Sequence, residues 1–409
     1  MKHLQLTKVL TLTCCLIVFV SCNYDAPQEV ETIVLTKSEE QITNGINQFT
    51  IDYYKRAYLG SKDLFVSPLS LSITLAMVAN GSGTQTQEQI NRAIGVNSHS
   101  MTETNIYFQK IIGALPKLDY TTELIFANSI WVDKKYSLNS GFSSMTKKYY
   151  EAIAQGVDFT KESALRQVNE WCSTNTKGKI SHLFSSIEQN TKIMVVNALY
   201  FRGHWQMPFM EDATIKDTPF TSLDGTISKV EMMNQYQYFG YCQDEIFQVI
   251  EMPYGNDAFS MVVLLPHKDV SFDKAIESLS VDKLEAINNS LVSTEVKLFM
   301  PKFQIDMTFD CAYVLQGLGI TDAFDPMLAD FSFITNSSEP VTISTIMQKT
   351  SLIVNETGSE AAVSSATILR NASPDAIEGR SPEFKADRPF IFLIKERSTG
   401  TILFIGQKG

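Results

Sequence analysis

The chain has 409 residues, of which 44% are hydrophobic and 19% charged, a composition typical of a globular protein and not of a disordered one. This length allows one large domain or two ordinary ones. The formal net charge of −11 argues against nucleic acid and against an anionic membrane surface as partners.

The N-terminus has the features of an export signal over residues 1–21. A basic start precedes the apolar stretch Leu10–Val20, which is too short to span a bilayer. Ser21 then stands directly before Cys22, and a small residue before a cysteine at this place resembles the bacterial lipobox. We therefore expect a protein exported and lipid-anchored through Cys22 to the bacterial envelope, at the cell surface or in the periplasm. An ordinary signal peptide with an incidental cysteine is the alternative.

The remainder is interpreted as a tether over residues 22–38 and a single domain over residues 39–409, because no second linker or repeat follows. Three cysteines lie in this domain, at Cys172, Cys242 and Cys311. Their odd number and spacing predict buried free thiols, not a disulfide framework or a metal site. No cofactor is implied, and we expect a monomer.

Helical patterns come first along the chain. Apolar residues at helical spacing predict one helix around residues 42–53, and Ser67 followed by Pro68 opens a second over Leu69–Ala79. A short helix is predicted over Gln87–Ile94, before Gly95. Leu165, Val168 and Cys172 mark a further helix.

Strand patterns dominate the rest of the chain. Ile193–Phe201 and Phe259–Leu265 are almost wholly apolar, which is typical of central strands covered on both faces. Phe390–Ile394 and Thr401–Ile405 are joined through Arg397–Gly400 and predict a hairpin. Helices early and strands late favour an α+β fold with large sheets.

Catalytic motifs are absent from the sequence: there is no nucleophile elbow, zinc-binding helix signature, phosphate-binding loop or dinucleotide fingerprint. A serine–histidine–aspartate triad is assembled in space and leaves no fixed spacing. A hydrolase with an unrecognised triad therefore stays open as an alternative.

Within the segment Asn355–Thr367, the run Ser359–Thr367 contains only small or short residues apart from Glu360, so this run could slide between two strands. Gly358 permits the backbone change that starts such a movement. Alternate residues from Ser359 to Thr367 would share one face of an inserted strand. A flexible linker of alanine and serine is the alternative.

This segment resembles the reactive-loop hinge of the serpin family, and further blocks follow in family order. They are Phe65–Ser70, Asn197–Trp205 with Phe209, Leu298–Phe303, Leu318–Thr321 and Asp387–Gly406. The resemblance covers about residues 40–409. It implies an α+β serpin fold with a large central mixed β-sheet, two smaller sheets, about eight or nine helices and an exposed reactive-centre loop at about residues 356–388.

The resemblance also implies an inhibitor of serine or cysteine proteases that is not itself an enzyme. A protease attacks the loop and forms an acyl-enzyme, and the cleaved loop inserts into the main sheet before water completes hydrolysis. The hinge is free of bulky residues, which favours inhibition over a non-inhibitory serpin-fold binding protein. The hinge residues are Glu356, Gly358, Ser359, Glu360, Ala361, Ala362, Val363 and Ser364.

Two supporting clusters carry over from the resemblance. The shutter, a polar cluster beneath the main sheet, would contain Ser67, Ser70, Asn197 and Gln348. Gln348 stands where the family has histidine, and its amide can still donate and accept hydrogen bonds. The breach, at the top of the sheet, would contain Trp205 beside an ion pair of Lys302 and Glu356.

The bait half of the loop offers three candidate bonds. The family's usual spacing from Glu356 places the reactive bond at Ala372–Ser373, which would suit an elastase-like serine protease. Because this loop is longer than the family norm, counting back from Pro389 gives a later site, near Glu378. Arg370–Asn371 and Arg380–Ser381 are trypsin-like alternatives, ranked second and third. A bond far from the hinge would leave slack before insertion pulls on the protease.

Overall fold

The computed structural model describes residues 31–180, 183–337, 339–359 and 381–409. The predicted signal peptide, the lipidation site Cys22 and the hinge residues Glu360, Ala361, Ala362, Val363 and Ser364 lie outside the described residues. So do the candidate bonds Arg370–Asn371 and Ala372–Ser373, and Arg380 of the third bond.

Nine α-helices lie in the described ranges, and the four predicted ones are among them. Helix α1 begins at Lys37, two residues before the predicted domain start, because Thr36 and Glu39 form a capping box. Ser67 caps α2, and all twelve residues of α2 are buried. The helices are α1 (Lys37–Ala57), α2 (Pro68–Ala79), α3 (Thr84–Ala93), α4 (Met101–Ala114), α5 (Ser140–Tyr150), α6 (Glu162–Asn175), α7 (Phe272–Glu277), α8 (Val281–Ser290) and α9 (Ala312–Gly317).

Fifteen strands lie in the same ranges, and the predicted hairpin is present as β14 and β15. The strands are β1 (Leu64–Val66), β2 (Glu123–Asp133), β3 (Ile153–Val157), β4 (Ile193–His204), β5 (Ile215–Thr221), β6 (Ile227–Gln243), β7 (Phe247–Tyr254), β8 (Phe259–Pro266), β9 (Val292–Pro301), β10 (Phe303–Asp310), β11 (Ile343–Asn355), β12 (Gly358–Ser359), β13 (Glu383–Lys385), β14 (Phe390–Glu396) and β15 (Ile402–Lys408).

The strands form two sheets where the resemblance implied three. One is a mixed six-stranded sheet in the order β10-β11-β12-β4-β2-β3. The other has nine strands in the order β1-β15-β14-β8-β7-β6-β9-β13, with β5 also paired to β6. The long strand β6 pairs with β5 near its start and with β7 near its end, so two smaller sheets become continuous through it.

The main core lies between the two sheets and around α2. Phe65 of β1 stacks on Phe404 of β15, with ring centroids 4.8 Å apart. Ile33, in the predicted tether, is also buried, and its backbone N–H donates to Ser398 Oγ (3.0 Å). The helices and mixed sheets of the described residues confirm the predicted α+β class.

The thiols of Cys172 and Cys311 are buried and that of Cys242 is half-buried, and all three are free. Burial raises the pKa of Cys311 to about 12, so this thiol stays protonated at neutral pH. Across the described ranges, no group of three or more histidine, cysteine or acidic side chains is placed to hold a metal ion. No helix in the described part of the chain is long and apolar enough to cross a bilayer.

Candidate functional site

The gap between β4 and β11 is closed along one part of its length and open along another. The two strands pair directly, in parallel, from Ile343 opposite Ile193 to Lys349 opposite Ala198. Nearer the end of β11 the short strand β12 lies between them and pairs antiparallel with both. Two of the hinge residues, Gly358 and Ser359, therefore already form an additional strand in the six-stranded sheet, which is the main sheet of the predicted mechanism.

The chain reverses between β11 and β12 because the side chain of Asn355 organises the turn. Its Oδ1 accepts hydrogen bonds from Thr357 N (3.1 Å), Thr357 Oγ1 (2.9 Å) and Gly358 N (3.2 Å). Gly358 then passes so close to β4 that a Cβ would lie 2.1 Å from the carbonyl oxygen of Gly203. Only glycine fits at this point of the turn.

Ser359 is fully buried at the tip of the inserted segment. Its Oγ lies 2.6 Å from the hydroxyl of Tyr254, which is also fully buried. The ring of Tyr254 stacks on Trp205 with centroids 4.5 Å apart. Trp205 Nε1 donates to the carbonyl of Asn355 (2.9 Å), so the two rings support the hinge at both ends of its turn.

The predicted ion pair of Lys302 and Glu356 is present, with Nζ and Oε2 3.2 Å apart. The side chain of Glu356 is 7% exposed, and its Oε1 accepts a hydrogen bond from Thr214 Oγ1 (2.7 Å). Burial raises the pKa of Glu356, but the hydrogen bond from Thr214 and the ammonium group of Lys302 outweigh burial, so the pKa lies below its ordinary value. Glu231 is a second partner of Lys302, also at 3.2 Å.

The predicted shutter residues meet beneath the paired part of β4 and β11. Gln348 Nε2 donates to Asn197 Oδ1 (2.7 Å) and to Ser67 O (2.8 Å), and Gln348 Oε1 accepts from Ser67 N (3.0 Å). Asn197 Nδ2 in turn donates to Ser70 Oγ (2.6 Å). All four residues are buried. The amide of Gln348 thus joins β11 to β4 and to the cap of α2.

Several residues of the site were missed by the sequence reasoning. Asn128 and Thr74 complete the shutter through hydrogen bonds of 2.7 and 2.9 Å from Asn197 Nδ2. Asn128 lies directly opposite Asn197 across β2 and β4. A lone amide inside the apolar run of β2 was the signal that could have found it. Tyr254 and Thr214 have no comparable signal, because they reach the hinge only through tertiary packing.

Ser381 is the first residue described after Ser359, and it lies beside the nine-stranded sheet. Ser381 Oγ lies 2.7 Å from the hydroxyl of Tyr236, and the carbonyl of Pro382 accepts from Lys297 N (3.0 Å). Strand β13 follows and pairs in parallel with β9. Ser381, the second residue of the candidate bond Arg380–Ser381, is therefore held against the nine-stranded sheet.

Known proteins resemble the chain over most of its length. The family model described as serpin (serine protease inhibitor) matches residues 44–408. The human leukocyte elastase inhibitor is 32% identical over 90% of this chain and 99% of its own length. An uncharacterized serpin-like protein of Thermococcus kodakarensis is also 32% identical, over 90% of this chain and 85% of its own.

Solved structures give the same result. The native state of tengpin, a thermophilic serpin, has a TM-score of 0.83 and 28% identity, covering 92% of this chain and 95% of that one. Human thyroxine-binding globulin in complex with thyroxine has a TM-score of 0.81 and 28% identity, covering 90% of this chain and 98% of that one.

Proposed function

This chain belongs to the serpin family, and from that premise we propose that it is a suicide inhibitor of serine proteases that inserts its cleaved loop between β4 and β11. The single observation that carries the proposal is β12, which already occupies this gap. Protease-inhibitor relatives support the same class of function.

The chemistry follows from the position of the hinge. The serine Oγ of the protease attacks a loop carbonyl, the peptide bond breaks, and the new amino terminus leaves with the C-terminal segment. That segment stays attached through β13, β14 and β15. The acyl ester links the protease to the hinge side of the loop, so insertion of that side moves the protease before water hydrolyses the ester.

The register of β12 predicts where an extended loop strand would end. Ser359 lies opposite Gly203, so an antiparallel continuation along β4 would bring Leu369 opposite Ile193, the first residue of β4. A reactive bond at Ala372–Ser373 would then lie just past the far end of the strand. The residues from Glu360 to Ala372 would span about 43 Å at 3.3 Å per residue.

The same register passes through the shutter. If the loop strand continued in this register between β4 and β11, Ser365 would lie between Asn197 and Gln348. Ser365 would then face the core, as Ser359 does. Insertion would break the bond between the two amides, and the hydroxyl of Ser365 could both donate and accept in its place. A small polar residue at this position therefore suits an inserting loop.

The reactive bond is proposed at Ala372–Ser373, ahead of Arg370–Asn371 and Arg380–Ser381. Ser381 is held by Tyr236 and Pro382 by β9, whereas a protease needs an extended, accessible segment on both sides of the bond. A cut after Arg380 would also leave a long slack segment beyond Leu369. An elastase-like protease is thus the proposed target.

The test is incubation with an elastase-like and a trypsin-like serine protease, followed by a denaturing gel and mass spectrometry of the released peptide. We expect a boiling-resistant adduct with the elastase-like enzyme and a peptide that begins at Ser373. A protease lacking its serine nucleophile is the matched control and forms no adduct. Cleavage by both active proteases without adduct would refute inhibition and favour a serpin-fold binding protein.

The lipid anchor at Cys22 stays a proposal based on the sequence. Labelling with a radioactive fatty acid in a bacterial host should modify the wild type and not Cys22→Ala. Equal labelling of the wild type and of Cys22→Ala would contradict lipidation at Cys22.

A further inference from the structure

Polar and charged side chains continue the face of β4 that packs against α6. Val196 and Ala198 of this face belong to a small apolar core shared with α6. Because alternate residues of a strand share a face, Tyr200 and Arg202 lie on the same side of the sheet, beyond that core. Glu123 of β2 is paired directly with Arg202. The face therefore changes from apolar to charged towards the end of β4.

The turn after α6 brings two lysines to this part of the sheet. Thr176 is fully buried, and its Oγ1 donates to the carbonyl of Cys172 (2.7 Å) and accepts from the N–H of Ile180 (3.0 Å). Ile180 is itself buried in the small apolar core. The turn is thus fixed at both ends, and it carries Lys177 and Lys179 between them.

Three cations of this region act on one carboxylate. Lys177 Nζ donates to Glu123 Oε1 (2.9 Å), and this hydrogen bond lowers the pKa of Glu123 most strongly. The charges of Arg202 and Lys179 lower it further, so the pKa lies below its ordinary value in spite of partial burial. Lys179 Nζ also lies 5.0 Å from the centre of the Tyr200 ring. We define the Arg202 cluster as Glu123, Lys177, Lys179, Tyr200 and Arg202.

Two polar groups of the Arg202 cluster are buried without a hydrogen-bond partner among the described residues. They are the hydroxyl of Tyr200, a residue that is 4% exposed, and Nε of Arg202. Buried polar groups are nearly always paired, so two such groups in one place indicate a bound water or ion. The Nε of arginine can only donate, so its partner is an acceptor. Three cations beside a single carboxylate favour an anion as that acceptor.

We propose that the Arg202 cluster binds a small dianionic oxyanion, either a phosphate or a dicarboxylate. The planar guanidinium of Arg202 matches the oxygens of both groups, and the hydroxyl of Tyr200 supplies a further donor. The side chain of Lys177 is 68% exposed, so it can move aside to admit the ion and then bind it from the solvent side. The bound ion joins β4 to the turn after α6 and stabilises the native state.

The test measures the melting temperature of the full chain in a phosphate-free buffer with added phosphate, added succinate or sodium chloride at the same ionic strength. The chloride series reports the general effect of charge screening. We expect a saturable rise with phosphate, with succinate or with both, because a ligand that binds only the folded state stabilises it. Chloride should give no saturable rise. The anion that produces the rise identifies the ligand class.

Two variants locate the ion. Arg202→Met should abolish the rise. Tyr200→Phe should weaken anion binding about tenfold, which corresponds to losing roughly 1.4 kcal/mol. In buffer without either anion, Tyr200→Phe should melt as the wild type does, because its hydroxyl has no partner among the described residues. This second variant keeps the test decisive if Arg202→Met fails to fold.

Arg166→Met is the matched control, because Arg166 of α6 is 65% exposed and lies outside the Arg202 cluster. It should keep the full rise. A wild type that responds to neither phosphate nor succinate beyond the chloride series would refute the site. An equal rise in the wild type, Tyr200→Phe and Arg202→Met would place the ion elsewhere and refute it as well, and so would an equal loss in Arg166→Met.

Discussion

The shutter and the breach lie along the same pair of strands and differ in almost every physical respect. The shutter residues are neutral and buried, and they join β4 and β11 where these strands pair directly. The breach contains the ion pair of Glu356 with Lys302, whose side chain is 33% exposed, where β12 already separates the strands.

This difference assigns the two clusters different tasks in the proposed mechanism. Glu356 is the first hinge residue and lies ahead of β12, so it need not move when the loop inserts, and its ion pair can serve as a fixed pivot. The amides of Asn197 and Gln348 must separate, and because they are neutral, their separation leaves no buried charge unpaired. The breach is thus an open entrance, and the shutter is a closed contact that can be replaced.

The largest effect is expected from a substitution that disrupts the breach. Ser359→Arg places a charge at a fully buried position between β4 and β11, where an unpaired cation costs several kcal/mol (about 5 or more). The hinge should leave the sheet and the protein should become a substrate. Denaturing gels with the trapped protease should show cleaved chain and no adduct.

Ser359→Thr is the matched control, since it keeps the hydroxyl and adds no charge. It should retain adduct formation. An adduct from Ser359→Arg in wild-type yield would contradict the assignment of Ser359 to the inserting face.

The next effect opens the shutter. Asn197→Ala removes the amide that bonds to Gln348, Ser70 and Asn128 and leaves those groups buried. We expect a loss of about 3 kcal/mol of native-state stability, measured as a lower urea midpoint. Hydrogen exchange of the β11 amides near Gln348 should accelerate as well.

Asn169→Ala is its control, because Asn169 of α6 accepts from the backbone N–H groups of Leu183 and Phe184 and belongs to neither strand of the gap. Asn169→Ala should lower the urea midpoint without accelerating the hydrogen exchange of the β11 amides. Equal exchange in both variants would show that the shutter does not hold the gap closed.

A smaller effect concerns the charge of the breach. The folded-state pKa of Glu356 lies below its ordinary value of 4.5, so its ionised form stabilises the native state above that pH, and this contribution is lost as the pH falls through the folded-state pKa. Glu356→Gln should cost about 1.5 kcal/mol at pH 7. The difference between the urea midpoints of wild type and variant should narrow below pH 4.5. A difference that is constant with pH would exclude this role.

The smallest effect removes one hydroxyl. Tyr254→Phe leaves the buried Ser359 Oγ without its partner and should cost about 1 kcal/mol. In a Ser359→Ala background, Tyr254→Phe should lower the free energy of unfolding by less, because the hydroxyl of Ser359 is already absent. Tyr200→Phe is the control, since the Tyr200 hydroxyl is buried without a hydrogen-bond partner among the described residues. Additive effects of Tyr254→Phe and Ser359→Ala would show that their contact is energetically silent.

Much of this arrangement could be predicted from the sequence. Local signals predicted α2 through Ser67 and Pro68, and apolar runs predicted β4 and β8. The family resemblance alone was enough to place Gln348 and Asn197 in one cluster, although 150 residues separate them in the chain. Thr84–Thr86, the first turn of α3, was missed because polar residues there carry no apolar periodicity.

Tertiary features left no signal in the sequence. The merging of two sheets through β6 depends on which distant strands pair with its two ends. Likewise, the insertion of Gly358 and Ser359 depends on how far β4 and β11 separate, which is decided by packing around Tyr254 and Trp205. Local sequence patterns do not predict how far two strands separate in the folded protein.

The most direct test of loop insertion is the melting temperature of the protein before and after its loop is cut by a protease that is not trapped. If β12 extends into a full strand paired on both sides, the cut protein should unfold at a clearly higher temperature than the intact protein, and cut Ser359→Arg should not. A cut wild-type protein that melts at or below the temperature of the intact one would contradict insertion between β4 and β11.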